Sequence, residues 1–266
     1  MRKLINAGLD LVLRAVRIAI LMFLLIVVGA GTWLAKLRAT AWDRPLRVAI
    51  FPINADASPI TERYLHDLRL EAFTPIAQFM RREGAGYGLA LPDPVELLLA
   101  PEIGKVPPPP PFGGNAVQVA LWSLQMRYWA WVNASVDGPK PHIQVLVLYY
   151  DPHRSTRLSH SLGLQKGMIG VVNAFASQEQ AAQNNVVIAH ELMHTLGATD
   201  KYDPRTNLPI FPDGYADPRR RPRLPQKYAE IMAGRLPLAE DRAEMPRGLE
   251  DVRVGAKTAR EINWLK

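Results

Sequence analysis

Residues 188–203 read IAHELMHTLGATDKYD. Within them, His190, Glu191, Leu192, Met193 and His194 form the pattern H-E-x-x-H. On a helix, residues four apart share a face, so His190 and His194 can aim both imidazoles at one metal ion. Glu191 follows the first histidine directly, which puts its carboxylate beside such an ion rather than on it, where it can take a proton from water. An apolar run leads in (Val186, Val187, Ile188, Ala189), and Gly197 stands where a helix would stop and the chain turn back. Asp200 comes three residues later and could return its carboxylate to the same ion.

The histidines of the chain are His66, His142, His153, His160, His190 and His194. None lies downstream of His194, so a third ligand from that side must be a carboxylate. Asp200 is the first choice by position, Asp203 is close behind it, and Glu230 is a more distant alternative. Two histidines that merely decorate a helix surface or core are the competing reading. Their placement around Glu191 on an otherwise apolar helix weighs against it.

The segment H-E-L-M-H-T-L-G-A-T-D, residues 190–200, resembles the metzincin clan of zinc metallopeptidases. Most members carry a histidine at the third ligand position, and the snapalysin-like minority carry aspartate, as here. The following D-K-Y-D is similar to the segment after the zinc helix in immune-inhibitor-A-like peptidases. Residues 229–234 (AEIMAG) resemble the clan's Met-turn, with Met232 as its methionine, and residues 259–264 resemble its closing helix. The likeness covers about residues 140–264. It implies an α/β (α+β) peptidase domain with a mixed sheet and a zinc-site helix. It also implies one catalytic Zn2+ held by His190, His194 and Asp200. The strand before the zinc helix would form the upper rim of the cleft. By resemblance, Gly170, Val171 and Val172 would there pair with an extended substrate through main-chain hydrogen bonds.

The chain has 266 residues, 48% of them hydrophobic, and no cysteine. Disulfides, thiolate metal sites and a cysteine nucleophile are therefore excluded. Residues 18–35 (IAILMFLLIVVGAGTWLA) carry no charge. As a helix at ~1.5 Å per residue they would reach roughly 27 Å, near the thickness of a bilayer core. Lys36 and Arg38 separate this stretch from the possible cleavage site at residues 39–41, which favours an uncleaved anchor. The expected organisation is a tail (1–17), one transmembrane helix (18–35), a linker (36–44) and a metallopeptidase domain (45–266). Arg2, Lys3, Arg14 and Arg17 precede the span, and Lys36, Arg38, Arg44 and Arg47 follow it, so charge alone does not orient it. The short tail and the arginines abutting the span lean toward a domain outside the cytoplasm, periplasmic or extracellular.

Elsewhere the patterning predicts strands at 46–53, 142–150 and 167–175, and helices at 60–82, 117–132 and 178–196, the last with Ser177 as N-cap. Pro107 to Pro111 open a stiff connector that runs to residue 114. Trp122, Tyr128, Trp129 and Trp131 are expected mainly in core or interdomain packing, with contact at a membrane interface as the lesser alternative. The loop 204–225 holds Arg219, Arg220, Arg221 and Arg223 on an expected solvated surface, with anionic lipid as a secondary partner. Asp203, Asp213 and Asp217 are candidate Ca2+ ligands. The net charge is +7, yet no nucleic-acid motif appears.

These features converge on a membrane-anchored zinc endopeptidase acting on a peptide or protein substrate. Glu191 is its expected general base, and Tyr202 an additional donor to the oxyanion. A zinc hydrolase of a non-peptide substrate and a zinc-stabilised binding domain are the alternatives.

Overall fold

Strand β1 (Leu46–Asn54, LRVAIFPIN) is buried along nearly its whole length, as a strand covered on both faces must be. It lies second in a five-stranded sheet of order β2-β1-β3-β5-β4. Strands β2 (Val95–Leu99) and β3 (Ile143–Tyr150) flank it in parallel. Strand β5 (Ile169–Phe175) pairs in parallel with β3, and β4 (Leu162–Leu164) closes the edge antiparallel to β5. The computed structural model describes residues 37–266 other than 112, 156, 157, 159, 160 and 165–167, and before them only 14, 16–19, 22, 23 and 29. The chain is thus a mixed α/β protein with a largely parallel sheet.

Helices cover both faces. Helix α1 (Pro59–Asp67) begins where the Ser58 hydroxyl accepts the Ile60 N–H and Pro59 occupies the first turn, where a missing N–H costs nothing. The helical spacing of 60–82 does not continue unbroken: Leu68 and Arg69 are extended, a 3-10 turn spans Leu70–Phe73, and helix α2 runs Thr74–Gly86. Pro75 in the first turn of α2 has no N–H to continue the preceding turn, so a new helix starts there. Helix α3 (Ala116–Asn133) opens with a capping box between Asn115 and Gln118 and places Trp122, Met126 and Ala130 on one sheet face. Tyr128 and Trp131 are not core as expected: they are 66% and 74% exposed.

On the other face lies helix α4 (Ala181–Leu196), the candidate metal helix. It starts three residues later than the sequence suggests, and Gln180, not Ser177, is its N-cap position, without a side-chain bond. Val186, Ile188, Ala189, Leu192, Met193 and Leu196 pack it against the sheet and α2. Each large apolar side chain so buried contributes about 1.5–3 kcal/mol, enough to make the helix a rigid platform.

After α4 the chain is irregular. Short strands β6 (Ala229–Glu230) and β9 (Val252–Arg253) pair in parallel, and β7 (Leu236–Pro237) and β8 (Ala243–Glu244) form a small hairpin. Helix α5 (Ala256–Glu261) ends the fold, with Trp264 packed on Trp42 at 5.6 Å between ring centroids. The expected linker 36–44 is partly domain: Ala39, Thr40 and Trp42 are buried, and the Trp42 Nε1–H donates to the Ile262 carbonyl at 2.7 Å. The charge-free stretch 18–35 lies mostly outside the described residues, among which no helix is long and apolar enough to cross a membrane.

Candidate metal centre

Gly197 ends α4 in the left-handed region at φ 110°, which costs glycine nothing. Its N–H bonds the His194 carbonyl, the Ala198 N–H bonds the Met193 carbonyl, and the chain doubles back. That reversal brings Asp200 to the histidines. Its Oδ1 lies 3.1 Å from His190 Nε2 and 3.1 Å from His194 Nε2.

The outer nitrogens of both rings are equally determined. His190 Nδ1 lies 2.8 Å from the Ile231 carbonyl and His194 Nδ1 lies 2.8 Å from the Ala198 carbonyl. A carbonyl only accepts, so each Nδ1 carries the hydrogen, and in a neutral ring the Nε2 lone pair faces inward. Two lone pairs and a carboxylate oxygen meeting at one point repel unless positive charge lies between them. Protons express this as pKa shifts. Burial works against a charged His190 ring, but Asp200, Glu191 and the Ile231 carbonyl outweigh it and raise its pKa. Burial likewise opposes ionisation of Asp200, but hydrogen bonds from His190 and His194 hold its carboxyl well below the usual range. A metal cation relieves the same field.

Glu191 completes the group. His190, Glu191 and His194 offer ligand atoms within 4.8 Å of one another, which makes Glu191 a rival to Asp200 as third ligand. The shared 3.1 Å approach of one Asp200 oxygen to both Nε2 atoms favours Asp200. The Glu191 carboxyl is buried, its Oε2 has no hydrogen-bond partner, and burial pushes its pKa up. An orphaned acceptor of this kind beside a ligand cluster fits a carboxylate that takes a proton from water. Two imidazoles and a carboxylate are also a donor set suited to zinc.

A cavity of about 640 Å3 opens on this group. His190, Glu191 and Tyr202 line it together with Asn173, Asn207 and Arg235. Tyr202 thus lines the cavity, and burial with the charges of Asp200 and Glu191 raises its pKa, which keeps the phenol a donor. Gly170, Val171 and Val172 do not form the rim. Strand β5 is interior, with Gly170 and Val171 paired to β3 on one side and to β4 on the other, and Val172 is fully buried. Among the described residues the edge strand on this side of the sheet is β4, which the sequence pattern does not reveal.

The other carboxylates go elsewhere. Asp203 Oδ1 accepts the Arg205 N–H at 2.8 Å and Asp217 Oδ1 the Arg219 N–H at 3.1 Å, so each closes a turn of its own. Among the described residues Asp203, Asp213 and Asp217 form no group able to hold a cation, against the Ca2+ expectation. Glu230 is fully buried, and its oxygens accept from Met232 N, Ala233 N, Gly255 N and Thr258 Oγ1 at 2.6–3.1 Å. It is committed to these donors rather than to the histidines. It shapes the turn whose Ile231 carbonyl orients His190, with Met232 buried in the core beside it.

We expect Glu230→Ala to strand buried donors at roughly 1–3 kcal/mol each, about 3 kcal/mol or more together. In a domain of this size that lowers the melting temperature by ~6–12 °C. An unchanged thermal melt would refute this role.

A second tether is Glu261 on α5. It accepts from Thr199 N, Thr199 Oγ1 and Lys201 Nζ at 2.8–3.0 Å, fixing the residues on either side of Asp200. Neither role is legible locally, because Gly255 and Thr258 lie tens of residues from Glu230, and Thr199 and Lys201 tens of residues from Glu261. The chain matches no protein-family model and no curated protein.

Proposed function

We propose that this chain is a zinc-dependent endopeptidase, held at a bilayer by residues 18–35 with its domain outside the cytoplasm. The observation that carries the reading is the convergence of His190 Nε2 and His194 Nε2 on Asp200 Oδ1, beside the buried and unpartnered Glu191 Oε2. His190, His194 and Asp200 hold the ion. When bound, zinc supplies Lewis acidity that acidifies water and polarises a carbonyl.

Glu191 accepts the proton of the attacking water and passes it to the departing amine. Tyr202 donates to the oxygen on which negative charge develops. Ser161, the residue before β4, lines the cavity, and an extended peptide would pair with the outer edge of β4.

The test is cleavage of an unstructured peptide library by the purified chain, with chelator and with zinc restored. Hydrolysis of simple esters alone, with peptides untouched, would overturn the peptidase reading. Tyr202→Phe is expected to lower kcat by ~10²-fold with KM and metal content nearly unchanged. An unchanged kcat would remove Tyr202 from the mechanism.

A further inference from the structure

Helix α3 has a second face. Val117, Leu121, Leu124, Tyr128 and Trp131 are 67%, 61%, 53%, 66% and 74% exposed, and their spacing sets them in one stripe. The inner residues of the helix already cover the sheet, and among the described residues none of this outer stripe belongs to a core cluster. At its carboxyl end lies a cavity of about 370 Å3, lined by Arg127, Trp131, Lys140, His142 and Met168 among others. His142 Nδ1 accepts the Arg47 N–H at 2.9 Å, so the neutral ring carries its hydrogen on Nε2 and is a donor. Cationic groups, a ring N–H and an indole thus share one cavity, the combination that binds a phosphate at a lipid interface.

The position of this face bears on what covers it. The Arg47 guanidinium donates to the Lys140 carbonyl, and the His142 N–H to the Arg47 carbonyl. The cavity that joins Arg127 and Trp131 of α3 to Lys140 and His142 therefore brings the end of α3 near the start of β1. Ala39 is already buried in the domain, in the core cluster on the α4 face of the sheet, only four residues after the charge-free stretch ends at Ala35. Fully extended, that distance is roughly 14 Å at most, so an anchored domain cannot stand clear of the bilayer. Residues 36–48 and 127–142 carry Lys36, Arg38, Arg44, Arg47, Arg127 and Lys140 against Asp43 and Asp137, a balance that suits an anionic surface.

We propose that the outer stripe of α3 lies on an anionic lipid surface, with the cavity of Arg127, Lys140 and His142 receiving a phosphate headgroup. This rests on the reading of residues 18–35 as an anchor. The domain would then face the bilayer with α3 and turn the α4 side, where the candidate metal centre lies, away from it.

The chain has no cysteine, so single cysteines can be labelled cleanly in the full-length protein. Trp131→Cys and Leu124→Cys report the stripe, and Arg205→Cys, whose native side chain is 88% exposed on the α4 side, is the reference. Each variant carries an environment-sensitive fluorophore and is reconstituted into phosphatidylcholine vesicles containing phosphatidylglycerol, with and without doxyl-labelled lipid. Expected is a blue-shifted emission and several-fold stronger lipid quenching at 124 and 131 than at 205. Lys140→Glu in the Trp131→Cys background should reduce that quenching while the chain stays in the membrane pellet after alkaline carbonate. Retention in the pellet with equal quenching at all positions would overturn the docking and leave the anchor standing. A blue shift without lipid quenching would assign the stripe to a second protein copy and overturn it as well. Release by carbonate would overturn the anchor and the docking together.

Discussion

Glu191→Gln is expected to reduce peptide hydrolysis by ~10²–10⁴-fold while bound zinc remains near one ion per chain, the range general acid–base catalysis supplies. The glutamine keeps the shape of the side chain and loses only the ability to accept a proton. Its site tolerates the change, because Glu191 Oε2 has no protein partner to lose. Metal content and turnover must be read on the same preparation. Full activity would end the proposed role of Glu191. Loss of the metal would make Glu191 the third ligand, in agreement with its place in the cluster of His190 and His194.

Asp200→Ala is expected to have the larger effect on the metal. Removing even an outer partner of a ligand typically costs 10–100-fold in affinity, so loss of a direct ligand should exceed ~100-fold. Asp203→Ala should leave affinity nearly unchanged, since the Asp203 carboxylate closes a turn with Arg205. Competition with a chromophoric chelator measures both variants. Equal affinities for Asp200→Ala and the parent chain would remove Asp200 from the site. Thr199 and Lys201 remain tied to Glu261 whatever stands at position 200, so the loop need not collapse in the variant.

Both expectations depend on features of very different legibility. The spacing of His190 and His194, the carboxylate between them and the stop at Gly197 are local consequences of helix geometry and of glycine's freedom at positive φ. They can be read within a dozen residues. Strands β1, β3 and β5 are also visible, because buried parallel strands read as nearly continuous apolar runs. The break between α1 and α2 is less visible, since the apolar spacing of Leu65, Leu68, Phe73, Ile76 and Phe79 runs through it and only Pro75 interrupts. Strand β2 went unread because its short apolar run also suits a buried segment of other kinds.

The exposure of Tyr128 and Trp131 illustrates a further limit of pattern. Helix α3 is apolar nearly all round, so periodicity does not say which face meets the sheet, and the contacts of Trp122, Met126 and Ala130 decide it. The rim of the cavity was misplaced for a related reason. Strand β5 has the composition of a strand beside a cleft, but whether it is an edge depends on β4 folding back against it.

The candidate ligand residues and their order along the chain are therefore properties of the sequence, because helix period and turn chemistry act within a few residues. Three things belong to the tertiary structure alone: that Ile231 supplies the carbonyl for His190, that Asp200 and not Glu230 reaches the imidazoles, and that β4 lies outside β5 in the sheet. Each requires segments distant in sequence to meet at hydrogen-bonding range, and no local period encodes which of them will.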